Sequence, residues 1–451
     1  MKPPIRRDRV PFSYRALQGW ARIAVAVFYR RLDVSAVSRL PKDRPVILAA
    51  NHGNALADVA VIIAGTPEFP HFLAAASWWK SAPARLLFGL GGVVPIHRRR
   101  DGEHTEQNAS SFEECHNALA SGASIAIFPE GEMHLEPALL PLKTGAARIA
   151  LSAAAEAGIA GVVLVPVGLV YDDRGRFRSD AEIHFGEPVE IDDWVENYRT
   201  DTVKAVRGVT DLLADRLVEV TVNHGSSEEA AVLDQVASLA LAELPRPDNF
   251  ARRNRLRRAL GSAVTRAGGE ASAEYEGIVS ALNAHQLDLE RLGIDRRDTS
   301  PLGSPPVRDQ VRLLAELIAL TPPAVVGVVA NAPTLLVLRV ASRRVPHEAW
   351  QATVKGVGGT VLVPIVWAVE FGLASRSVGR RRALMLTAGG VIGGAVALVW
   401  RERLQRRRQS ARVEALERAD PTALRQAQSS RAALRQCIES LVGVPSLLEA
   451  D

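Results

Sequence analysis

A chain of 451 residues, 47% hydrophobic and 23% charged, is long enough for one sizeable core domain plus accessory parts and is not of a disordered or fibrous class. The formal charge of +5 favours phosphate-bearing partners. Aromatic residues make up only 5% and no zinc-finger or RNP-like pattern occurs, which argues for anionic lipid and against nucleic acid. Two distant cysteines, Cys115 and Cys437, exclude a disulfide framework and suit a reducing cytosol.

Residues 1–20 lack the apolar run and cleavage site of a signal peptide. Within the N-terminal section, 1–44, the stretch 11–32 carries Leu17, Trp20, Ile23, Ala24, Val27 and Phe28 at helical spacing, with Arg15, Arg22, Arg30 and Arg31 among them. A basic amphipathic helix of this kind suits a membrane surface, and packing onto its own domain is an equal alternative.

From 45 to 195 short apolar runs alternate with helical ones. Strands are predicted at 46–50, 71–76, 93–97, 124–128, 162–170 and 181–186, with helices at 106–121 and 143–156 among them. The alternation predicts an α/β domain with a mostly parallel sheet flanked by helices. Between 196 and 310 helical patterns dominate (203–220, 227–243, 250–267 and 270–295) and end in a polar linker, a helical accessory region without a chemical motif.

Apolar segments follow within 311–404, at 313–338, 356–374 and 383–400. The last two are long enough for membrane helices, since a bilayer core needs about 20 apolar residues, with about 17–25 usual. The first contains Glu316, Asn331 and three prolines, which leaves an interfacial or re-entrant path open. Arg residues flank the last segment on both sides, so charge asymmetry gives no orientation. Section 405–451 is expected to be a polar helical tail.

Chemistry concentrates in four places. The strand at 46–50 ends at Asn51-His52, with Asp58 six positions beyond His52. A histidine past the carboxyl end of a strand sits where α/β sheets bind ligands, and a carboxylate on one ring nitrogen leaves the other to take a proton. Six residues is not a helical repeat, so the loop must bend to unite the pair. Next, Gly92-Val93-Val94-Pro95-Ile96-His97-Arg98 delivers guanidinium groups suited to phosphate. Third, Phe128-Pro129-Glu130-Gly131 follows a strand, and Lys143-Thr144-Gly145 opens a helix where backbone N–H groups favour an anion. Last, Val165-Pro166-Val167-Gly168 closes a core strand.

In order and spacing these four blocks resemble the glycerophospholipid acyltransferase family, over about residues 40–192. The resemblance implies catalytic His52 and Asp58, with substrate or phosphate binding by Asn51, Arg98, Glu130, Gly131 and Lys143. It implies no metal and no cofactor; the acyl donor is a thioester substrate, acyl-CoA or acyl carrier protein. Two departures stand out. Asp58 lies one position further from His52 than in the usual block, and Glu132-Met133-His134 replaces the usual Thr-Arg or Ser after Glu-Gly, removing a cation that Lys143 or Arg98 could replace.

The expectation is acyl transfer to a hydroxyl of a glycerol-phosphate lipid precursor, foremost 1-acylglycerol 3-phosphate. Glycerol 3-phosphate and lysophospholipid are alternative acceptors, and a non-catalytic lipid-binding scaffold is the alternative of another class. The protein is expected at the cell membrane, bound to anionic lipid, with its catalytic domain facing the cytoplasm. No Gly-x-Ser-x-Gly turn supports a serine hydrolase.

Overall fold

Five consecutive apolar residues, Val46–Ala50, form strand β2, and all five are buried. A strand apolar on both faces needs a sheet covered on both sides. The computed structural model describes residues 12–67, 70–80, 88–89, 92–97, 108–242, 249–344 and 348–442. In it β2 lies within an eight-stranded sheet of β1 (Arg31–Ser35), β2, β3 (Pro70–Ala75), β4 (Val94–Ile96), β5 (Ser124–Ile127), β6 (Val163–Tyr171), β7 (Asp180–Phe185) and β8 (Val189–Glu190). The order is β1-β7-β6-β2-β5-β3-β4, with β8 also on β6. Strands β6, β2, β5, β3 and β4 run parallel, whereas β7 turns back antiparallel to β6 and carries β1 parallel to itself.

The side chains of β2 alternate between two cores, as the period of a strand requires. Val46, Leu48 and Ala50 pack with α1 (Phe12–Phe28) and α2 (Ala55–Gly65), through residues such as Phe28, Val61 and Ile62. Ile47 and Ala49 face the other way. There they meet α3 (Asn108–Ala120), α4 (Gly145–Ala155) and, beyond the short α5 (Val195–Thr200), α6 (Thr202–Val220). Helix α6 falls in the stretch expected to be accessory, yet Val209, Leu213 and Leu217 pack it into this second core.

The predicted strands are observed within a residue or two, and the mostly parallel α/β architecture with them. Strand β1 is new. It occupies the end of the stretch read as helix, because the helix stops at Phe28 and the Arg30 N–H turns to donate to Ser179 O. Helix α1 itself reconciles its two readings: Tyr14, Ala21, Ala24, Val25 and Phe28 are buried against its own domain, while Phe12, Ile23 and Val27 are exposed.

These elements belong to one compact unit, Met1–Asn223 with His347–Val357; the second is His224–Pro346 with Gly358–Asp451. In the second unit α7 (Ser227–Leu241), α8 (Phe250–Ala267), α9 (Ala273–Arg291) and α13 (Pro421–Val442) enclose a core that includes Leu233, Leu256, Ile278 and Leu434. Among the described residues three helices are long and apolar enough to cross a membrane, by length and composition: α10 (Val307–Arg343), Thr353–Val378 within α11 (Glu348–Val378), and α12 (Arg380–Ala419). Helix α10 runs unbroken through Pro322, Pro323 and Pro333, so the first apolar segment is continuous helix rather than a re-entrant turn. Helices α10 and α12 touch at glycines: a Cβ on Gly327 would lie 1.9 Å from the Gly393 carbonyl carbon, the close approach that small residues permit.

Candidate active site

Strands β2 and β5 are parallel neighbours, with Ala49 opposite Ile127, so their following loops leave the same edge of the sheet. The first is Asn51–Asn54 and the second begins Phe128-Pro129-Glu130. This register explains why a histidine and a glutamate 78 residues apart meet: the His52 N–H donates to Glu130 Oε1 at 3.0 Å. The Phe128 ring stacks on the His52 imidazole with centroids 4.0 Å apart.

The bend that His52 and Asp58 require is built by the carboxylate. Asp58 lies in the first turn of α2 and is fully buried. Its Oδ2 accepts the Gly53 N–H at 3.0 Å and the Asn54 N–H at 2.7 Å, curling the preceding loop over the helix start. Ala55 enters the helix with φ of 46°, the left-handed conformation that lets the chain turn so sharply. His52 Nδ1 then lies 2.8 Å from the same Oδ2. An ionised carboxylate only accepts hydrogen bonds, so Nδ1 carries the proton and Nε2 keeps its lone pair. The His52 side chain is 20% exposed, so that lone pair can be reached from solvent.

The second carboxylate oxygen has its own donor. Tyr171, the last residue of β6, donates its hydroxyl to Asp58 Oδ1 at 2.5 Å. Tyr29 stacks on Tyr171 with centroids 5.6 Å apart and accepts the Asn54 Nδ2–H at 3.0 Å. Burial, followed by the charge of Asp58, holds both phenols well above their ordinary pKa, so both stay protonated and Tyr171 stays a donor.

Glu130 is 1% exposed. Besides the His52 N–H, it accepts the Leu140 N–H at 2.9 Å and bonds His134 Nε2, while the His134 N–H donates to His52 O at 3.2 Å. Its carboxylate thus ties the turn after β2 to the long loop after β5. Asn51 makes a similar tie: its amide accepts the Leu169 N–H at 2.7 Å and donates to Leu169 O at 3.1 Å, locking the end of β2 to β6. Gly131 has φ of 73°, a turn that a side chain rarely adopts. The Lys143 N–H donates to Pro129 O at 2.7 Å, and its exposed side chain runs past Gly131.

Of the residues singled out in the sequence, the structure therefore gathers Asn51, His52, Asp58, Glu130, Gly131 and Lys143 at one edge of the sheet; Arg98 lies outside the described residues. Sequence reasoning did not find Tyr171, Phe128 or His134 as members of the site. Phe128 and His134 stood in the third block, and Tyr171 is one residue beyond the predicted end of its strand.

The family model described as Acyltransferase matches residues 31–170, from β1 almost to Tyr171. Glycerol-3-phosphate O-acyltransferase 2 of Saccharomyces cerevisiae is 36% identical over 29% of this chain and 18% of its own length. The lyso-ornithine lipid O-acyltransferase of Brucella abortus is 29% identical over 40% of this chain and 80% of its own. The crystal structure of the 1-acyl-sn-glycerophosphate acyltransferase of Thermotoga maritima, 20% identical, matches 45% of this chain and 80% of that one with a TM-score of 0.32. The matched segment spans only 18% of the length of the first yeast relatives. Residues 31–170 thus match an acyltransferase domain, and the relatives similar to it include glycerol-3-phosphate and 1-acyl-sn-glycerol-3-phosphate acyltransferases.

Proposed function

We propose that this protein is a membrane-bound O-acyltransferase that moves a fatty acyl group from acyl-CoA or acyl carrier protein to a hydroxyl of a glycerol-phosphate lipid precursor. The observation that carries the reading is the His52–Asp58 pair at 2.8 Å, with Nδ1 committed to the carboxylate and Nε2 left as a base. In this mechanism Nε2 takes the proton of the acceptor hydroxyl as its oxygen attacks the thioester carbonyl. The tetrahedral oxyanion collapses, the C–S bond breaks, and the imidazolium returns its proton to the departing thiolate. Asp58 stabilises the imidazolium, and its backbone and Tyr171 donors keep it in place. Asn51 and Glu130 act by holding the loops that shape the acceptor site, with Gly131 and Lys143 beside them; the resemblance assigns Arg98 to phosphate binding.

The acceptor we favour is 1-acylglycerol 3-phosphate. Relatives from plants and man are named for that substrate, and the yeast relatives for glycerol 3-phosphate. A second reading, a lysolipid of another headgroup, draws support from the Brucella relative, matched over 80% of its length. The three long apolar helices support residence in the cell membrane, with the catalytic domain on the cytoplasmic side, where thioester donors are made, and anionic lipid around its basic segments.

The test is to give the purified full chain radiolabelled acyl-CoA with glycerol 3-phosphate, 1-acylglycerol 3-phosphate, lysophospholipid and lyso-ornithine lipid in parallel. Product is expected with 1-acylglycerol 3-phosphate above the others, and His52→Ala should lower turnover by about 10²–10⁴-fold. Undiminished turnover by His52→Ala, or no product with any acceptor, overturns the reading.

A further inference from the structure

The block after β5 lacks the cation expected behind Glu130-Gly131, since His134 turns inward to Glu130 and Glu132 follows the glycine. A different cation stands beside the catalytic turn. Arg174, on the loop between β6 and β7, lays its guanidinium against Gly53, so close that a Cβ there would lie 3.2 Å from Cζ and Nη2 and 3.3 Å from Nε. Gly53 directly follows His52. Among the described residues the guanidinium has no hydrogen-bond or ion-pair partner. The acids around it are occupied. Asp58 holds its four donors, Asp172 pairs with Arg176, and Asp173 Oδ1 accepts the Gly175 and Arg176 N–H groups.

The loop is also fixed in place rather than free to carry Arg174 elsewhere. Asn54 Nδ2 donates to Arg174 O at 3.4 Å, Ser179 Oγ donates to Asp173 O at 2.8 Å, and Lys355 Nζ donates to Gly175 O at 2.7 Å. Lys355 belongs to the same compact unit as the loop it holds. A cation left unpaired beside the catalytic turn suits an anion brought by the substrate.

We propose that Arg174 is the headgroup receptor of the acceptor: its guanidinium binds the phosphate oxyanion of the lipid whose hydroxyl faces His52. This rests on the acyltransferase reading and deepens it by assigning the missing cation to the β6–β7 loop. Gly53 gives the guanidinium its room, since a Cβ there would press on it at 3.2 Å.

The experiment has two arms on the full chain in detergent. The first measures binding of 1-acylglycerol 3-phosphate by calorimetry without any thioester, for the unaltered protein, Arg174→Ala, Arg174→Lys and a control away from the loop, Arg199→Ala, whose side chain is mostly exposed. Arg174→Ala should raise Kd about ten-fold, the scale of one charge-assisted hydrogen bond. Lysine should restore part of the loss, and the control should bind as the unaltered protein does. The uncharged monoacylglycerol should bind weakly and equally to all four. An unchanged Kd for Arg174→Ala in a folded protein, or an equal loss for monoacylglycerol, overturns the proposal. The second arm measures turnover. A rise in acceptor KM alone agrees with the assignment, whereas a rise in acyl-CoA KM places the cation on the donor and overturns it. Absent turnover in the unaltered protein defeats the acyltransferase reading and leaves the binding arm to decide Arg174.

Discussion

Tyr171 donates its hydroxyl at 2.5 Å to Oδ1 of Asp58, the carboxylate oxygen that the His52 turn leaves free. The other oxygen already receives two backbone N–H groups and the imidazole. The carboxylate is fully buried, so all its solvation comes from these four donors, and loss of any one falls on the orientation of His52.

Tyr171→Phe removes one donor to a charged acceptor and keeps the ring that stacks on Tyr29. A hydrogen bond to a charged group contributes about 1.5–3 kcal/mol. If part of that is expressed in the transition state, kcat should fall about ten-fold while both KM values stay put. Because burial and the Asp58 charge raise the Tyr171 pKa, the unaltered enzyme should lose no activity through this phenol at mildly alkaline pH. Steady-state kinetics on the phenylalanine variant decides: a shift confined to the acceptor KM means that Tyr171 touches substrate instead.

Glu130 poses the same question with the opposite expectation. Its carboxylate accepts from three N–H groups, on His52, Leu140 and His134, so Glu130→Gln turns an amide donor against at least one of them. An unsatisfied buried group costs about 1–3 kcal/mol. The glutamine variant should therefore melt at a lower temperature and lose kcat together, as the loop after β5 pulls away from the catalytic turn. Were Glu130 an acceptor-binding group alone, its loss would raise the acceptor KM at unchanged melting temperature. A melting curve and a KM on the same sample separate the two.

Much of this site is legible in the sequence alone. The central strands β2, β5 and β6 are short apolar runs, and the polar residues just past two of them can only sit at the edge of a parallel sheet. What was not legible depends on partners distant in sequence. Strand β1, Arg31-Leu32-Asp33-Val34-Ser35, alternates polar and apolar residues directly after an apolar helix, and its identity rests on pairing with β7 some 150 residues away. Tyr171 reads as the tail of an apolar strand until β6 lies beside β2 and carries it to Asp58, 113 residues earlier. Asn51 and Glu130 stand in the right blocks, but only the fold reveals that their side chains are engaged by backbone N–H and C=O groups.

The long apolar helices carry a polar cluster of their own. Asn331 in α10 donates to Gly327 O at 2.8 Å and to Gly390 O of α12 at 3.2 Å, and accepts the indole N–H of Trp367 from α11 at 3.0 Å. Asn331→Leu should loosen all three helices modestly, by about 0.6–2 kcal/mol. Gly327→Leu should be far worse, because its side chain would occupy the Gly393 backbone. Thermal unfolding in detergent should rank unaltered protein above Asn331→Leu above Gly327→Leu, and tryptophan emission should shift in Asn331→Leu as Trp367 loses its partner. Equal melting of the two variants would refute the glycine contact.

The helical part of the second unit should weaken in mild acid. His285 of α9 is fully buried, with Nδ1 3.0 Å from Ser430 Oγ and Nε2 accepting from the buried Arg431 guanidinium. Burial and then the Arg431 charge lower its pKa from 6.5 to about 4, against the weaker pull of Asp288. His224 is lowered to about 4 as well, by burial and then Arg257, with Asp234 opposing. Above pH 6.5 each imidazole is neutral whether the chain is folded or not, and the stability linked to it is fully present. As pH falls from 6.5 towards 4 the unfolded chain takes up protons that the folded one refuses, so stability is lost across that window. The gap between 6.5 and about 4 corresponds to at most about 3 kcal/mol for each histidine. Thermal unfolding from pH 7.5 to 5 should show the loss, and a double variant, His224→Gln with His285→Gln, should flatten the slope even if it melts lower at pH 7.5. An unchanged slope in that variant would assign the acid sensitivity to carboxylates elsewhere in the chain.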